Sequence, residues 1–160
     1  MARSIVLRLL TVSPKSRRQL ELKLAERGVP SAVASVVLDR FEEVRLVDDA
    51  EFARMWVSSR SRTRSLARGA LRRELADKGI AQEEAEAALE QLSAEDELAA
   101  ARELVRRKLR SGATPADRSE RDKAVRRLAS MLARKGYPPA LAFKVVSEEL
   151  ESRYDEIDTP

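Results

Sequence analysis

One short phrase returns three times along this chain: LAERGVP at 24–30, LADKGIA at 75–81 and LARKGYP at 132–138. Aligned on Gly28, Gly79 and Gly136, which lie 51 and 57 residues apart, the surrounding positions agree. Leucines stand eight residues before each glycine (Leu20, Leu71, Leu128) and four before it (Leu24, Leu75, Leu132). A basic residue directly precedes the glycine (Arg27, Lys78, Lys135) and a large apolar one follows (Val29, Ile80, Tyr137). Ala34, Ala85 and Ala142 come six positions later, and Leu38, Leu89 and Val146 ten later. A single Leu-x3-Leu before a glycine is commonplace in helical proteins. Three copies in one register mark a repeat architecture.

Each copy reads as helix, turn, helix. Leucines four apart share one helix face. Glycine tolerates the left-handed backbone that ends a helix. The small alanine lets the second helix approach closely, and the Leu or Val beyond it fills the space. The basic residue before the glycine is accounted for by the dipole of the helix end. A helix pair with one apolar stripe cannot bury it alone, so neighbouring units must complete the core. The expected fold is all-α: three tandem three-helix, helix-turn-helix-like repeats in an elongated, curved array. The chain 1–160 reads as a single domain with repeat cores at about 16–60, 66–111 and 115–151 and an acidic tail at 152–160.

Composition agrees with helix and narrows the chemistry. Hydrophobic residues are 43% of the chain but aromatics only 4%, too few ring and β-branched side chains to fill a sheet. There is no Cys and no His. That removes disulfides, thiolate nucleophiles, imidazole bases and zinc sites built from those ligands. No phosphate-binding glycine loop, nucleophile elbow or HExxH is present. Asp48–Asp49 and the group Glu83, Glu84 and Glu86 are the only acidic constellations a metal might use, and Asp48 reads better as a helix cap. The chain is expected to be no enzyme and to carry neither cofactor nor metal. The stretch SIVLRLLTV (4–12) is interrupted by Arg8, falls short of the roughly 20 residues a bilayer needs, and lacks a signal-peptide cleavage site. A soluble, cytoplasmic, membrane-independent monomer is expected.

Local signals place the elements. Ser16 with Gln19, Asp48 with Glu51 and Ser93 with Asp96 have cap spacing. Thr114–Pro115 suits an N-cap and first helical position, and Pro138–Pro139 opens a last helix to about 151, with a frayed tail beyond. Val33, Val36, Val37 and Phe41 are expected on one face of the second helix. Phe52, Met55, Trp56 and Ser59, at i, i+3, i+4 and i+7, are expected to face the core.

The net charge is only +4, but the charges are banded. Residues 52–73 hold seven arginines and no acid; residues 74–97 hold nine acids against Lys78; 102–135 turn basic again. Such bands suit a charged polymer or a charge-patterned partner. The second helices of the repeats are acidic or apolar, which argues against sequence-specific reading of a DNA groove. The cationic candidates for contact are Arg60, Arg62, Arg64, Arg68, Arg72 and Arg73, then Arg106, Arg107, Lys108 and Arg110.

Three segments carry a family resemblance: LVDDAEFARMWVSSR (46–60), RGALRRELADKGI (68–80) and RRLASMLARKGY (126–137). They resemble the RecX family, regulators of the bacterial RecA recombinase, and the likeness runs over roughly 5–151. The Leu-x-Asp-Asp-x-x-Phe-Ala piece is the most specific. The resemblance implies a non-catalytic modulator that binds RecA–DNA filaments and inhibits their ATPase and strand exchange, with single- or double-stranded DNA as a further partner. It supplies no contact residues, so the cations above rest on charge and position. The alternative is a DNA-binding helix-turn-helix-type protein that acts without a recombinase.

Overall fold

The computed structural model of the chain describes residues 1–157. Among the described residues there are nine helices and no strand: α1 (Ala2–Val12), α2 (Arg17–Glu26), α3 (Ser31–Glu43), α4 (Asp49–Arg64), α5 (Arg68–Asp77), α6 (Gln82–Leu89), α7 (Ala94–Arg110), α8 (Arg118–Arg134) and α9 (Pro139–Ile157). The chain divides into two compact units, Met1–Ser59 with Arg72–Gln91, and Arg60–Leu71 with Leu92 onward. The division cuts through α4 and α5 rather than between repeats.

The repeat register becomes core. Leu20, Leu24, Leu38, Leu71, Leu75 and Leu132 are fully enclosed, and Leu128, Leu89, Val146 and the three alanines Ala34, Ala85 and Ala142 are buried beside them. In the first unit Leu20, Leu24, Ala34 and Leu38 join Ala2 and Val6 of α1. In the second, Leu128, Leu132, Ala142 and Val146 pack with Ala101, Val105 and Leu109 of α7. Gly28, Gly79 and Gly136 adopt φ of +76°, +76° and +92°, where a side chain would be strained.

Within each unit, one repeat is fastened to the turn of the next at one register position. Twelve residues before Gly28, the Ser16 hydroxyl donates to the Lys78 carbonyl at 2.6 Å. Twelve residues before Gly79, the Ala67 N–H donates to the Lys135 carbonyl at 2.8 Å. One position on, the Arg17 N–H donates to Asp49 at 2.8 Å and the Arg68 N–H to Glu97 at 2.9 Å. The acceptor carbonyls are those left open at a helix end, and the backbone N–H donors of Arg17, Ala67 and Arg68 are those left open at a helix start.

The capping pairs Ser16–Gln19, Asp48–Glu51 and Ser93–Asp96 are formed. Four expectations need correction. Asp117, not Thr114, caps α8, accepting from the Glu120 N–H at 2.8 Å. Thr114 and Pro115 are drawn instead to α9, where they accept from Arg153 Nε (3.0 Å) and the Tyr154 hydroxyl (2.7 Å). Those anchors carry α9 past 151 to Ile157; the rest of the expected acidic tail, 158–160, lies outside the described residues. On α3 the core side is Ala34, Leu38 and Phe41, while Val33 and Val36 face out. On α4 the core side is Phe52, Ala53 and Val57, which leaves Met55 and Ser59 exposed and Trp56 half-buried. In both helices apolar residues occupy more than one face, so periodicity placed Phe41 and Phe52 in the core correctly and missed the exposure of Val33, Val36 and Met55.

Candidate contact surface

The charge bands turn partly against each other. Arg72 grips Glu86 with two nitrogens, at 2.5 and 3.2 Å. Arg68 donates to the Leu92 carbonyl and sits 3.8 Å from Glu97. Its equivalent one repeat earlier, Arg17, bonds Asp39 at 2.6 Å, Glu42 at 3.1 Å and Glu21 at 3.2 Å. Burial works to lower the Arg17 pKa, but the hydrogen bonds to those three carboxylates outweigh it, and the pKa is raised. Arg17 and Arg68 therefore hold the start of a helix against the carboxylates of a neighbouring one. In the next basic band, Arg106 bonds the buried Glu149 at 2.9 Å and Arg110 bonds Glu103 at 3.1 Å. The Glu149 carboxylate raises the Arg106 pKa.

The remaining candidates divide by position. Arg64, Arg73, Arg107 and Lys108 are exposed, on the outer faces of α4, α5 and α7. Arg62 is exposed and Arg60 half-buried, and both already take part in interactions within the fold. Cations that reach solvent without an internal carboxylate are the ones suited to an anionic partner. Lys123, Arg126, Arg127 and Arg134 add an exposed basic side to α8.

Lys78 and Lys135, read first as dipole partners, make longer-range contacts as well. Lys135 Nζ donates to the Arg64 carbonyl at 2.9 Å. Lys78 Nζ lies 4.7 Å above the Trp56 ring, whose indole N–H donates to Glu74 at 2.8 Å. Phe52 stacks on Trp56 with centroids 5.8 Å apart. Together with Pro14, Lys15 and Met55 they line a cleft of about 280 Å³. Among the described residues no group of three or more acids could hold a metal, and no helix is long and apolar enough to cross a membrane.

Sequence reasoning passed over the apolar surface of α1 and α3. Leu7, Val33, Val36, Val44 and Leu46 are all exposed. The signal was present in α3 as valines on two arcs of one helix, more than a single core contact can use.

Comparison with known proteins covers this framework. Family models described as the first, second and third three-helix domains of RecX match residues 2–41, 48–89 and 95–146. A regulatory protein RecX of Streptomyces coelicolor is 49% identical over 158 residues, spanning 98% of this chain and 81% of the relative. One from Thermobifida fusca is 49% identical over 159 residues, spanning 99% and 84%. The crystal structure of RecX from Lactobacillus salivarius superposes with a TM-score of 0.80 at 18% identity, over 92% of this chain and 94% of that one, a likeness of fold.

Proposed function

The chain belongs to the RecX family, and from that premise we propose that it is a non-catalytic modulator of the RecA recombinase, binding RecA–DNA filaments and inhibiting their ATPase and strand exchange. One observation carries the reading: relatives named as regulatory proteins match nearly the whole chain at about half identity. In this reading the protein acts in the cytoplasm as a monomer and tunes recombination and DNA repair. Three repeats each offer a weak contact, and joining them in one chain multiplies their effect through high local concentration. Arg64, Arg73, Arg107 and Lys108, exposed on three different helices, supply cations toward the phosphates of the filament.

The test is the single-strand-DNA-dependent ATPase rate of the cognate recombinase titrated with this protein. Inhibition well below one protein per protomer supports capping or action at filament gaps. Inhibition only near saturation supports coating of the filament. An unchanged rate with filaments still forming rejects the reading. The exposed cations of α8 favour one alternative, a DNA-binding protein acting without a recombinase. That alternative requires binding to bare DNA with a steep salt dependence.

A further inference from the structure

Exposed apolar surface on this protein is gathered at one end of the sequence. Of eleven exposed large hydrophobic residues among those described, eight lie within the first 46 positions. The repeat itself shows that this is no requirement of the fold. Nine residues after the turn glycine stand Val37, Ala88 and Val145; the second and third are 1% and 0% exposed, whereas Val37 remains partly open. Eight residues after it stand Val36, Ala87 and Lys144, so only the first repeat places a large apolar residue there. An exposed valine that sister repeats replace with alanine or lysine calls for a cover outside the first unit's own core.

The surface has shape and sign. Arg3, Leu7, Val37, Arg40, Val44 and Leu46 line a cleft of about 260 Å³ over Phe41. Its only charged lining groups are the two guanidiniums. The turn that presents Val44 and Leu46 is held by bonds from the Arg45 N–H to the Glu42 carbonyl (3.0 Å) and from the Leu46 N–H to the Phe41 carbonyl (2.9 Å). It places Arg45 at φ +58°, a left-handed conformation disfavoured for any residue but glycine. These are the bonds of a left-handed helix cap that closes α3, and they fix Val44 and Leu46 at the rim of the cleft.

We propose that this face of α1 and α3 is a protein-docking surface, and that its occupant is an amphipathic helical segment of the recombinase whose apolar side is edged by carboxylates. The proposal rests on the recombinase reading above and assigns the protein contact to a surface separate from the exposed cations. Two other occupants fit less well. A nucleic-acid backbone gains nothing from the valines and leucines. A second copy, meeting the same face across a two-fold axis, sets Arg3 and Arg40 against their own duplicates.

The test compares the wild-type chain with the double variant Leu7→Gln, Leu46→Gln and with Arg40→Glu. Three quantities are measured: affinity for recombinase filaments on single-stranded DNA, affinity for that DNA alone, and sedimentation. Both altered leucines are exposed, so the thermal melt is expected to be unchanged. The expected result is about tenfold weaker filament binding for the double variant, with affinity for bare DNA intact. Arg40→Glu is expected to weaken filament binding most at low salt. A folded double variant that binds filaments like the wild type overturns the proposal. So does a wild-type dimer that the substitutions dissolve, or a loss of bare-DNA binding in step with filament binding. If the wild type itself binds no filament, the recombinase reading fails first, and that result is distinct from all the others.

Discussion

The Ser16 hydroxyl donates to the Lys78 carbonyl oxygen at 2.6 Å, and at the same time its oxygen accepts the Gln19 N–H at 3.2 Å. One fully buried side chain thus caps its own helix and closes the helix end of the following repeat. The second repeat makes the corresponding tie through its backbone, from Ala67 to Lys135. Removing the hydroxyl takes away both the cap on the α2 start and the partner of a partly buried carbonyl. Ser16→Ala is therefore expected to cost about 2 kcal/mol in denaturant unfolding. A loss within error of zero contradicts the double role.

The three turn glycines are not equivalent, although their backbone angles are close. A Cβ built on Gly28 meets nothing within 4 Å, whereas one on Gly136 collides with the Ala70 backbone nitrogen and lies 2.8 Å from the Ala70 Cβ. Gly28→Ala should cost about 1 kcal/mol, the left-handed penalty alone. Gly136→Ala should cost about 3 kcal/mol or more, since α5 must retreat as well. Equal melting temperatures for the two variants would contradict the close approach of α5 to that turn.

Tyr137 follows the third turn glycine, and its hydroxyl donates to the Ser65 carbonyl at 2.8 Å. Ser65 sits at φ +52°, so the bond holds a strained linker residue. Burial, helped by the nearby Glu97 charge, pushes the phenol pKa up to about 12. The folded state thus holds this proton more tightly than the unfolded chain does. Its contribution is present below the ordinary tyrosine pKa and is lost as pH rises from there through the folded value. Tyr137→Phe should lose about 1 kcal/mol near neutrality and should flatten the alkaline fall in stability.

Glu84 opens α6 among its own kind. Burial raises its pKa first, and repulsion from Asp49, Asp48, Glu42 and Glu83 adds to it. Asp49 is raised too, by burial, against the lowering effect of the Arg17 N–H bond. A raised carboxyl stabilises the fold only while protonated, so this contribution disappears as pH climbs through the folded pKa. Glu84→Gln is expected to stabilise the protein at neutral pH and to change little in acid. Glu84 is half-buried and still partly screened by solvent, so the gain is at most about a few tenths of a kcal/mol. A neutral-pH loss of stability would show that its charge helps the helix start instead.

Arg68 and Arg73, five residues apart, should behave oppositely. Arg68→Ala removes the guanidinium that reaches the Leu92 carbonyl and Glu97, and should lower the melting temperature. Arg73 is exposed, so Arg73→Ala should leave the melt unchanged. If Arg73, Arg107 and Lys108 meet phosphates, each alanine lowers the salt slope of filament binding by about one. An unaltered slope in the triple variant would exclude these cations from the contact.

The repeat was legible because its constraints are local and recur. Leucines at −8 and −4, glycine at the turn and alanine at +6 meet the same needs three times, and each of those side chains is buried or adopts the expected backbone. The caps at Ser16, Asp48 and Ser93 were legible for the same reason: donor and acceptor lie three residues apart. The end of α9 was hidden, because Arg153 and Tyr154 find their acceptors 39 or more residues away. The core arc of α4 was also hidden. Its stripe of Phe52, Met55 and Trp56 is a sound amphipathic pattern, but only Phe52 of the three is buried, beside Ala53 and Val57.

The sequence alone determined an all-helical chain, its turns, and the leucines that fill the core, since hydrophobic period and backbone chirality act within a few residues. Tertiary structure decided which charges reach solvent. In sequence Arg68, Arg72 and Arg73 are alike; folded, the first two turn to Glu97 and Glu86, and Arg73 faces water. Which carboxylate lies within 4 Å of a guanidinium depends on how helices far apart in the chain come together, a geometry that residue type alone does not carry.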